Sequence, residues 1–331
     1  MKFNKYSLIG LILLISCSIG TTNWNDHIDA NSRTQIKELN NKLIEALQEK
    51  NSRKLKEIFS DKLNKTSAAD LDILLAKVEN YLVSPNFKIL DEYKTNAAIG
   101  TTTSVFKGVS GEYDYKVNFE VMNKETFVSL ILNEGISSTT LLTCIYGKYG
   151  DDWKLNILQI GPYSIFGKNA VDFYKQAKAD YEKGNLIDAA DDIAMVQQTA
   201  APANEIFQYQ KDEEMKTFAT KVYTEANKIF HLPLKVEAIN TNPKIYNISP
   251  QVMNEGIFPM VTYISKINLK DTVSLKNENE ELKKIIGTLF PGVDKDKKYV
   301  FFQVYNEIPT GKTPIEHYGF VLNVRAQQNG I

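Results

Sequence analysis

The stretch that most strongly indicates the fold class is residues 140 to 160, which read TLLTCIYGKYGDDWKLNILQI. Two apolar runs flank the YGDD sequence at residues 149 to 152, and glycine and aspartate are residues that tight turns favour. We therefore expect two antiparallel strands joined by a hairpin. The run from Thr140 to Tyr149 is almost continuously apolar, which is typical of a strand covered on both faces.

The residues upstream of this hairpin predict helices first and strands afterwards. Apolar residues recur at spacings of three and four in residues 36 to 47, which predicts an amphipathic helix. A short helix is expected at residues 55 to 59. A third helix ends at Ser84-Pro85, because proline disfavours the helical conformation of the residue before it. From Tyr113 to Val121 apolar and polar residues alternate, which predicts a half-buried strand.

These features resemble the cone-shaped nuclear-transport-factor-like and ketosteroid-isomerase-like superfamily. The resemblance covers residues 33 to 166 and is carried by the opening helix Ile36–Leu47, the short helix Leu55–Phe59 and the closing hairpin Gly147–Leu155. It implies an α+β domain in which helices lie against a strongly curved antiparallel sheet. The fold hosts enzymes, binders and empty scaffolds, so the resemblance implies no single activity.

In enzymes of this superfamily an acidic residue or a histidine acts as a base inside the cone. Here Asp114 and Glu120 lie on the polar side of the alternating strand, which we expect to face solvent. The sequence has no histidine between His27 and His231, so an Asp-His pairing is absent from this segment. We therefore expect a cone filled by apolar and aromatic side chains and assign no catalytic residue.

The chain after residue 166 predicts a helical linker region at residues 167 to 232. Residues 174 to 190 resemble a single tetratricopeptide-type helical hairpin with its turn at Gly184-Asn185. About three copies are needed for a stable repeat array, so we interpret this one as a connecting hairpin. A longer helix is expected from about Asn204 to Phe230.

Residues 233 to 331 predict a small α+β domain of strands and one helix. The helix is expected from Asn277 to Leu289, with its leucine and isoleucine residues turned inward. The charged residues Glu278, Glu280 and Glu281 are expected on its solvent-facing side. The sequence as a whole therefore predicts an α+β fold class with a cone domain, a central helical region and a small C-terminal domain.

The first sixteen residues have the pattern of an export signal. Lys2 and Lys5 precede an apolar run from Leu8 to Ile15, which is shorter than the roughly 20 residues of a membrane-spanning helix. The LISC sequence at residues 14 to 17 resembles the lipobox of bacterial lipoproteins. This resemblance implies cleavage before Cys17 and a diacylglyceryl group on its thiol. The alternative is an ordinary cleaved signal in which the cysteine occurs by chance.

Acylation of Cys17 would make a membrane the partner of this chain, because two or more acyl chains anchor a protein stably. Ser18 follows the cysteine, and in enteric-type bacteria the absence of aspartate there favours the outer membrane, on its periplasmic face or at the cell surface. We expect residues 17 to 32 to be a polar tether.

The sequence contains two cysteines, Cys17 and Cys144. With lipid on Cys17, Cys144 has no partner for an intramolecular disulfide. Cys144 lies in the apolar run that opens the fold-indicating stretch. We therefore expect a buried, inert thiol rather than a reactive nucleophile.

Composition and motifs argue against several classes of function. The chain has 39 basic and 40 acidic residues, whereas nucleic-acid binding needs a basic face. Three histidines without paired spacing predict no metal site, and no cofactor motif is present. The sequence TGKT at residues 310 to 313 resembles the end of a phosphate-binding loop, but the upstream glycine is missing and Pro309 and Pro314 flank it.

We therefore expect a lipid-anchored, non-catalytic binding or interaction module of the cell envelope, with a protein or small molecule as its ligand. One alternative is a small-molecule enzyme of the isomerase or dehydratase type, which predicts an open cone with an ionisable group on its wall. The other is a structural component of an envelope assembly, which predicts a contiguous exposed apolar patch or an oligomer interface.

Overall fold

The structure, a computed structural model, describes residues 20 to 67, 70 to 309 and 314 to 324. These residues form eight α-helices and three β-sheets, which confirms the predicted α+β class. The lipobox, Cys17 and the TGKT sequence lie outside the described residues. Within the described ranges, no helix is both long enough and apolar enough to cross a membrane.

Along the described chain the helices fall into four groups that strands separate. In chain order they are β1 (Thr21–Trp24), α1 (Ala30–Gln48), α2 (Ser52–Ile58), α3 (Asp61–Thr66), α4 (Leu71–Tyr81), β2 (Phe87–Asn96), β3 (Thr102–Phe106), β4 (Tyr115–Glu120), β5 (Glu125–Glu134), β6 (Ser138–Tyr149), β7 (Asp152–Ile165), α5 (Ala170–Glu182), α6 (Leu186–Thr199), β8 (Phe207–Tyr209), α7 (Asp212–Phe230), β9 (Leu234–Lys235), β10 (Lys244–Met253), β11 (Gly256–Ile264), α8 (Thr272–Leu289), β12 (Tyr299–Tyr305) and β13 (Tyr318–Asn323).

The first sheet is antiparallel and has the strand order β1-β2-β5-β6-β7. Its β6–β7 hairpin pairs Tyr149 with Asp152, which confirms the predicted turn. Nearly every residue of β5 and β6 is buried, as their continuous apolar runs predict. Helices α1, α2 and α4 cover one face of this sheet, where Leu43, Leu55 and Leu75 pack against sheet residues such as Phe127 and Tyr146.

Helices α5 to α7 and a second sheet share a hydrophobic core with the other face of the first sheet. The second sheet has the order β3-β4-β8, and its third strand comes from the region that the sequence predicts as a linker. Residues 167 to 232 therefore contribute to the same core as the preceding sheet. Tyr115, Val117 and Phe119 of β4 are buried, which confirms their predicted inward alternation.

The long helix predicted from Asn204 is wrong in its first turns. Residues Asn204–Ile206 form a 3-10 turn and Phe207–Tyr209 form β8, so helix α7 begins only at Asp212. Phe207 and Tyr209 are buried against each other and against Tyr115, with ring centroids 4.5 Å apart for Tyr115 and Phe207. Burial of these aromatic rings in the sheet core outweighs the helical spacing of the sequence.

The third sheet has the order β13-β12-β11-β10-β9, and α8 packs across one face of it. All its strand pairs are antiparallel except β11 with β12. The prediction that Glu278 faces solvent is wrong, since it is buried on the inner side of α8 beside Leu275 and Leu282. Helix α8 also begins earlier than predicted, because the Asp271 side chain accepts a hydrogen bond from the backbone N–H of Ser274 and caps it.

The prediction of a polar tether is wrong for residues 21 to 32. Thr21–Trp24 pairs with Tyr93–Asn96 as the edge strand of the first sheet. Asp29 then caps α1 by accepting a hydrogen bond from the backbone N–H of Ser32 at 2.9 Å. The polar composition of this stretch does not reveal the pairing, because the partner strand lies about 70 residues further along the chain.

Candidate functional site

A half-open cavity of about 630 Å³ lies at the α5–α6 hairpin. Its wall combines the α5–α6 hairpin, the turn between β10 and β11, and the loop that precedes β12. Four aspartates of the hairpin lie on this wall: Asp180, Asp188, Asp191 and Asp192. We call this space the acidic cavity.

Helical geometry brings the four aspartates together. Asp188, Asp191 and Asp192 stand at positions i, i+3 and i+4 of α6, which share one helix face. Asp180 lies in the last turn of α5, which packs against α6. The tight turn between the two helices passes through Gly184 at φ +79°, a conformation that suits glycine.

Two of these carboxyl groups are buried with one oxygen that lacks a partner. Asp188 and Asp192 are each only 8% exposed. Within the described part of the chain, Asp188 Oδ1 and Asp192 Oδ2 make no hydrogen bond. The other oxygen of Asp188 accepts a hydrogen bond from Lys297 Nζ at 2.8 Å. A buried polar atom without a partner is costly, so these two oxygens indicate a place where a ligand donor fits.

Burial and mutual repulsion keep protons on this cluster. Burial is the largest cause that raises the pKa of Asp192 to about 8; the charges of Asp180 and Asp188 contribute to the rise and Lys168 opposes it. Burial also raises the pKa of Asp191 well above its ordinary value, with Asp188 and Asp192 adding to the effect. The pKa of Asp188 is raised by burial as well, while the nearby Lys297 ammonium lowers it.

Most lysines at the rim are already engaged. Lys183 Nζ lies 3.4 Å from Asp180 Oδ1, and Lys298 forms an ion pair with Glu255. Lys168 lies over the Phe173 ring, with its Nζ 5.8 Å from the ring centroid. Within the described residues, Asp191 and Asp192 form no ion pair. These two carboxyl groups on the cavity wall therefore have no directly paired protein cation.

A second groove of about 510 Å³ lies between α1 and β2 in the first segment. Glu92 lies on its wall and is almost fully buried, and burial raises the pKa of its carboxyl group. Arg33 Nε is 3.5 Å from Glu92 Oε2, so a guanidinium group opposes this rise. Behind the groove, the interior is occupied by three buried side chains that are linked by hydrogen bonds. The Tyr146 hydroxyl donates to Asn40, and the Asn40 amide donates to Ser129.

The remaining residues that the sequence singles out do not assemble into a site. Cys144 is fully buried, which confirms its predicted burial, and burial raises the pKa of its thiol to about 12. Glu120 is exposed, and Asp114 accepts hydrogen bonds from loop N–H groups at Ser110 and Gly111. In the described residues, no group of three or more His, Cys, Asp or Glu side chains is arranged to hold a metal ion.

Sequence patterns alone do not predict the acidic cavity. Its signal was three aspartates on one face of an alanine-rich helix, with no lysine or arginine on α6 to pair with them. Comparison with known proteins does not supply a site by analogy. No protein-family profile, no curated protein and no solved structure matches this chain.

Proposed function

We propose that this protein is a lipid-anchored, non-catalytic binding protein of the cell envelope whose acidic cavity takes a small organic cation with an amine or guanidinium group. The observation that carries the ligand proposal is the pair of buried carboxyl groups, Asp188 and Asp192, each with an unpartnered oxygen on the cavity wall. Export and anchoring rest on the leader and on Cys17.

A ligand cation matches this cavity in charge, hydrogen bonding and size. An ammonium or guanidinium group brings only donors, and the unpartnered carboxyl oxygens are acceptors. Its charge would replace the protons that burial and repulsion now hold on Asp191 and Asp192. The volume of about 630 Å³ falls in the range of small-molecule sites, which is roughly 300–1,000 Å³.

The wall of the acidic cavity supports binding rather than catalysis. The residues that line it include no serine, cysteine or histidine within the described part of the chain. It therefore offers carboxyl and ammonium groups that can hold a ligand, but no Ser-His or Cys-His pair for covalent catalysis. The enzyme alternative has Glu92 in the second groove in its favour, but Arg33 pairs with that carboxylate and the space behind it is filled.

We also propose that residues 33 to 166 adopt the cone-like arrangement of the nuclear-transport-factor-like superfamily. Support comes from helices α1, α2 and α4 packed on one face of the first sheet. Register shifts at Ile89/Asp91 in β2 and at two positions in β6–β7 also support it, because bulges bend strands and increase their twist.

Calorimetric titration tests the ligand proposal. Butylamine is the probe, and butanol and butyrate are controls of similar size that are neutral and negative. We expect butylamine to bind and to release protons, so that the measured heat depends on the ionisation enthalpy of the buffer. The Asp192→Asn variant should bind more weakly, whereas Asp72→Asn, an exposed aspartate on α4, should bind normally. Equal heats for butylamine and butanol would contradict the proposal.

A further inference from the structure

We infer that the anchored protein rests on phospholipid headgroups through one corner of its first sheet, formed by Gly20, Thr21 and the β2–β3 loop at residues 97 to 101. The inference rests on the proposed acylation of Cys17. We call this surface the anchor corner.

The length of chain between the lipid and the fold carries the inference. Gly20 is three residues after Cys17, so their Cα atoms lie at most about 11 Å apart. Gly20 is also next to the loop, because a Cβ placed on it would lie 2.8 Å from the Asn96 carbonyl oxygen and 3.2 Å from Ala97 Cβ. Pairing of Thr21 with Asn96 then ties this end of the chain to the sheet. A lipid on Cys17 therefore holds the anchor corner at the membrane surface.

The side chains at this corner suit a headgroup layer. Ile99 lies at the loop tip and is 63% exposed, so most of its aliphatic side chain is not covered by the described protein. Lys124 lies next to this loop, because its carbonyl oxygen accepts a hydrogen bond from the backbone N–H of Ala97 at 3.1 Å. Lys124 is exposed. An apolar tip beside a lysine is the combination that enters the boundary of acyl chains and phosphates.

Other exposed parts of the same sheet are less suitable. The β6–β7 hairpin is at the same end, but it carries Asp151 and Asp152 and lies three strands from β1, or about 14 Å. Ile136, in the β5–β6 turn, is 99% exposed but lies at the opposite end of the ten-residue strand β5, about 30 Å away. Ile99 and Ile136 are therefore a matched pair for an experiment.

Lipid-phase quenching of a fluorophore tests the contact. The full chain is expressed in bacteria as Ile99→Cys or Ile136→Cys, purified from membranes, labelled at the new thiol, and reconstituted in phosphatidylcholine vesicles with nitroxide-bearing lipids. Cys144 is fully buried, so it should stay unlabelled. We expect fluorescence loss for the label at position 99 and none at position 136. An insertion of about 12 Gly/Ser residues after Ser18, with an r.m.s. span of about 20 Å, should remove the loss.

Mass spectrometry of the same preparation distinguishes a failure of the anchor corner from a failure of the proposed acylation. An acylated protein whose two labels are quenched equally would overturn the anchor corner and leave the proposed anchoring intact. A chain without lipid on Cys17 would overturn both. A Cys17→Ser form added to the same vesicles should show no quenching at position 99, and quenching there would overturn the inference that the anchor creates the contact.

Discussion

At the scale of single residues, the buried aspartates of α6 make stability depend on pH. Asp192 has an ordinary pKa of 3.8 and a pKa of about 8 in the folded protein. Between these values the folded state binds more protons than the unfolded state. The contribution of the protonated Asp192 carboxyl group to the free energy of unfolding is therefore fully present below about pH 4 and is lost as the pH rises through about 8.

The Asp192→Asn substitution removes this dependence, because an amide keeps a donor and an acceptor but has no proton to lose. We expect the variant to be more stable than the unmodified protein at about pH 8, by up to ~5 kcal/mol for a shift of about four units. Near pH 4 the two should be equal. Urea denaturation at several pH values measures the difference, with Asp72→Asn as the exposed control. A constant difference across this range would contradict the raised pKa.

The ion pair of Lys297 with Asp188 gives a second prediction. Both side chains are mostly buried, and Lys297 Nζ also donates to the Gly292 carbonyl oxygen at 2.9 Å. We expect Lys297→Met to lower the free energy of unfolding by about 3 kcal/mol, since it leaves Asp188 without its charge partner. Adding Asp188→Asn should recover most of that loss. Denaturant melts of the single and double variants form the double-mutant cycle, and strictly additive losses would contradict the pairing.

At the scale of elements, the short strand β8 joins the region after α6 to the second sheet. Phe207 is 2% exposed and pairs with Val117, whereas Phe106 in the same sheet is 48% exposed. We expect Phe207→Ala to cost about 3–5 kcal/mol and Phe106→Ala to cost far less. Hydrogen exchange should also become faster at β4 amides in the first variant. Unchanged β4 protection would show that β8 is not part of that cooperative unit.

At the scale of the whole molecule, the proposed anchor corner and the acidic cavity lie at opposite ends of one sheet. Strand β7 begins at the β6–β7 hairpin, near the anchor corner end, and finishes at Ile165, next to cavity residues Phe166 and Lys168. Its 14 residues span at most about 45 Å. A molecule held by the anchor corner therefore presents the acidic cavity away from the bilayer, toward dissolved ligands.

The anchor itself gives a prediction for the whole protein. We expect Cys17→Ser to move the chain from the membrane fraction to the soluble fraction of the envelope, because no acyl chain remains to hold it. Fractionation followed by immunoblotting measures the distribution. Ser18→Ala, which changes the neighbouring residue but keeps the thiol, should remain with the membrane. Equal distribution of both variants would show that Cys17 does not anchor this chain.

The sequence by itself determined the features that depend on neighbours along the chain. Spacing at three and four residues located α1, alternation located β4, and the YGDD turn located the β6–β7 hairpin. It also predicted the burial of Cys144, because the residues that flank this cysteine along the strand are apolar. These patterns work because helix and strand periods are local properties.

Only the tertiary structure decided which faces meet, and the candidate site depends on that. Periodicity shows that a face is apolar but not which element covers it, so it could not reveal that β8 joins β4 or that Glu278 is buried. The same holds for Asp188 and Asp192, which on an isolated α6 would be solvated acids. They line a cavity only because α5, the β10–β11 turn and Lys297 surround them, and this burial raises the pKa of both carboxyl groups.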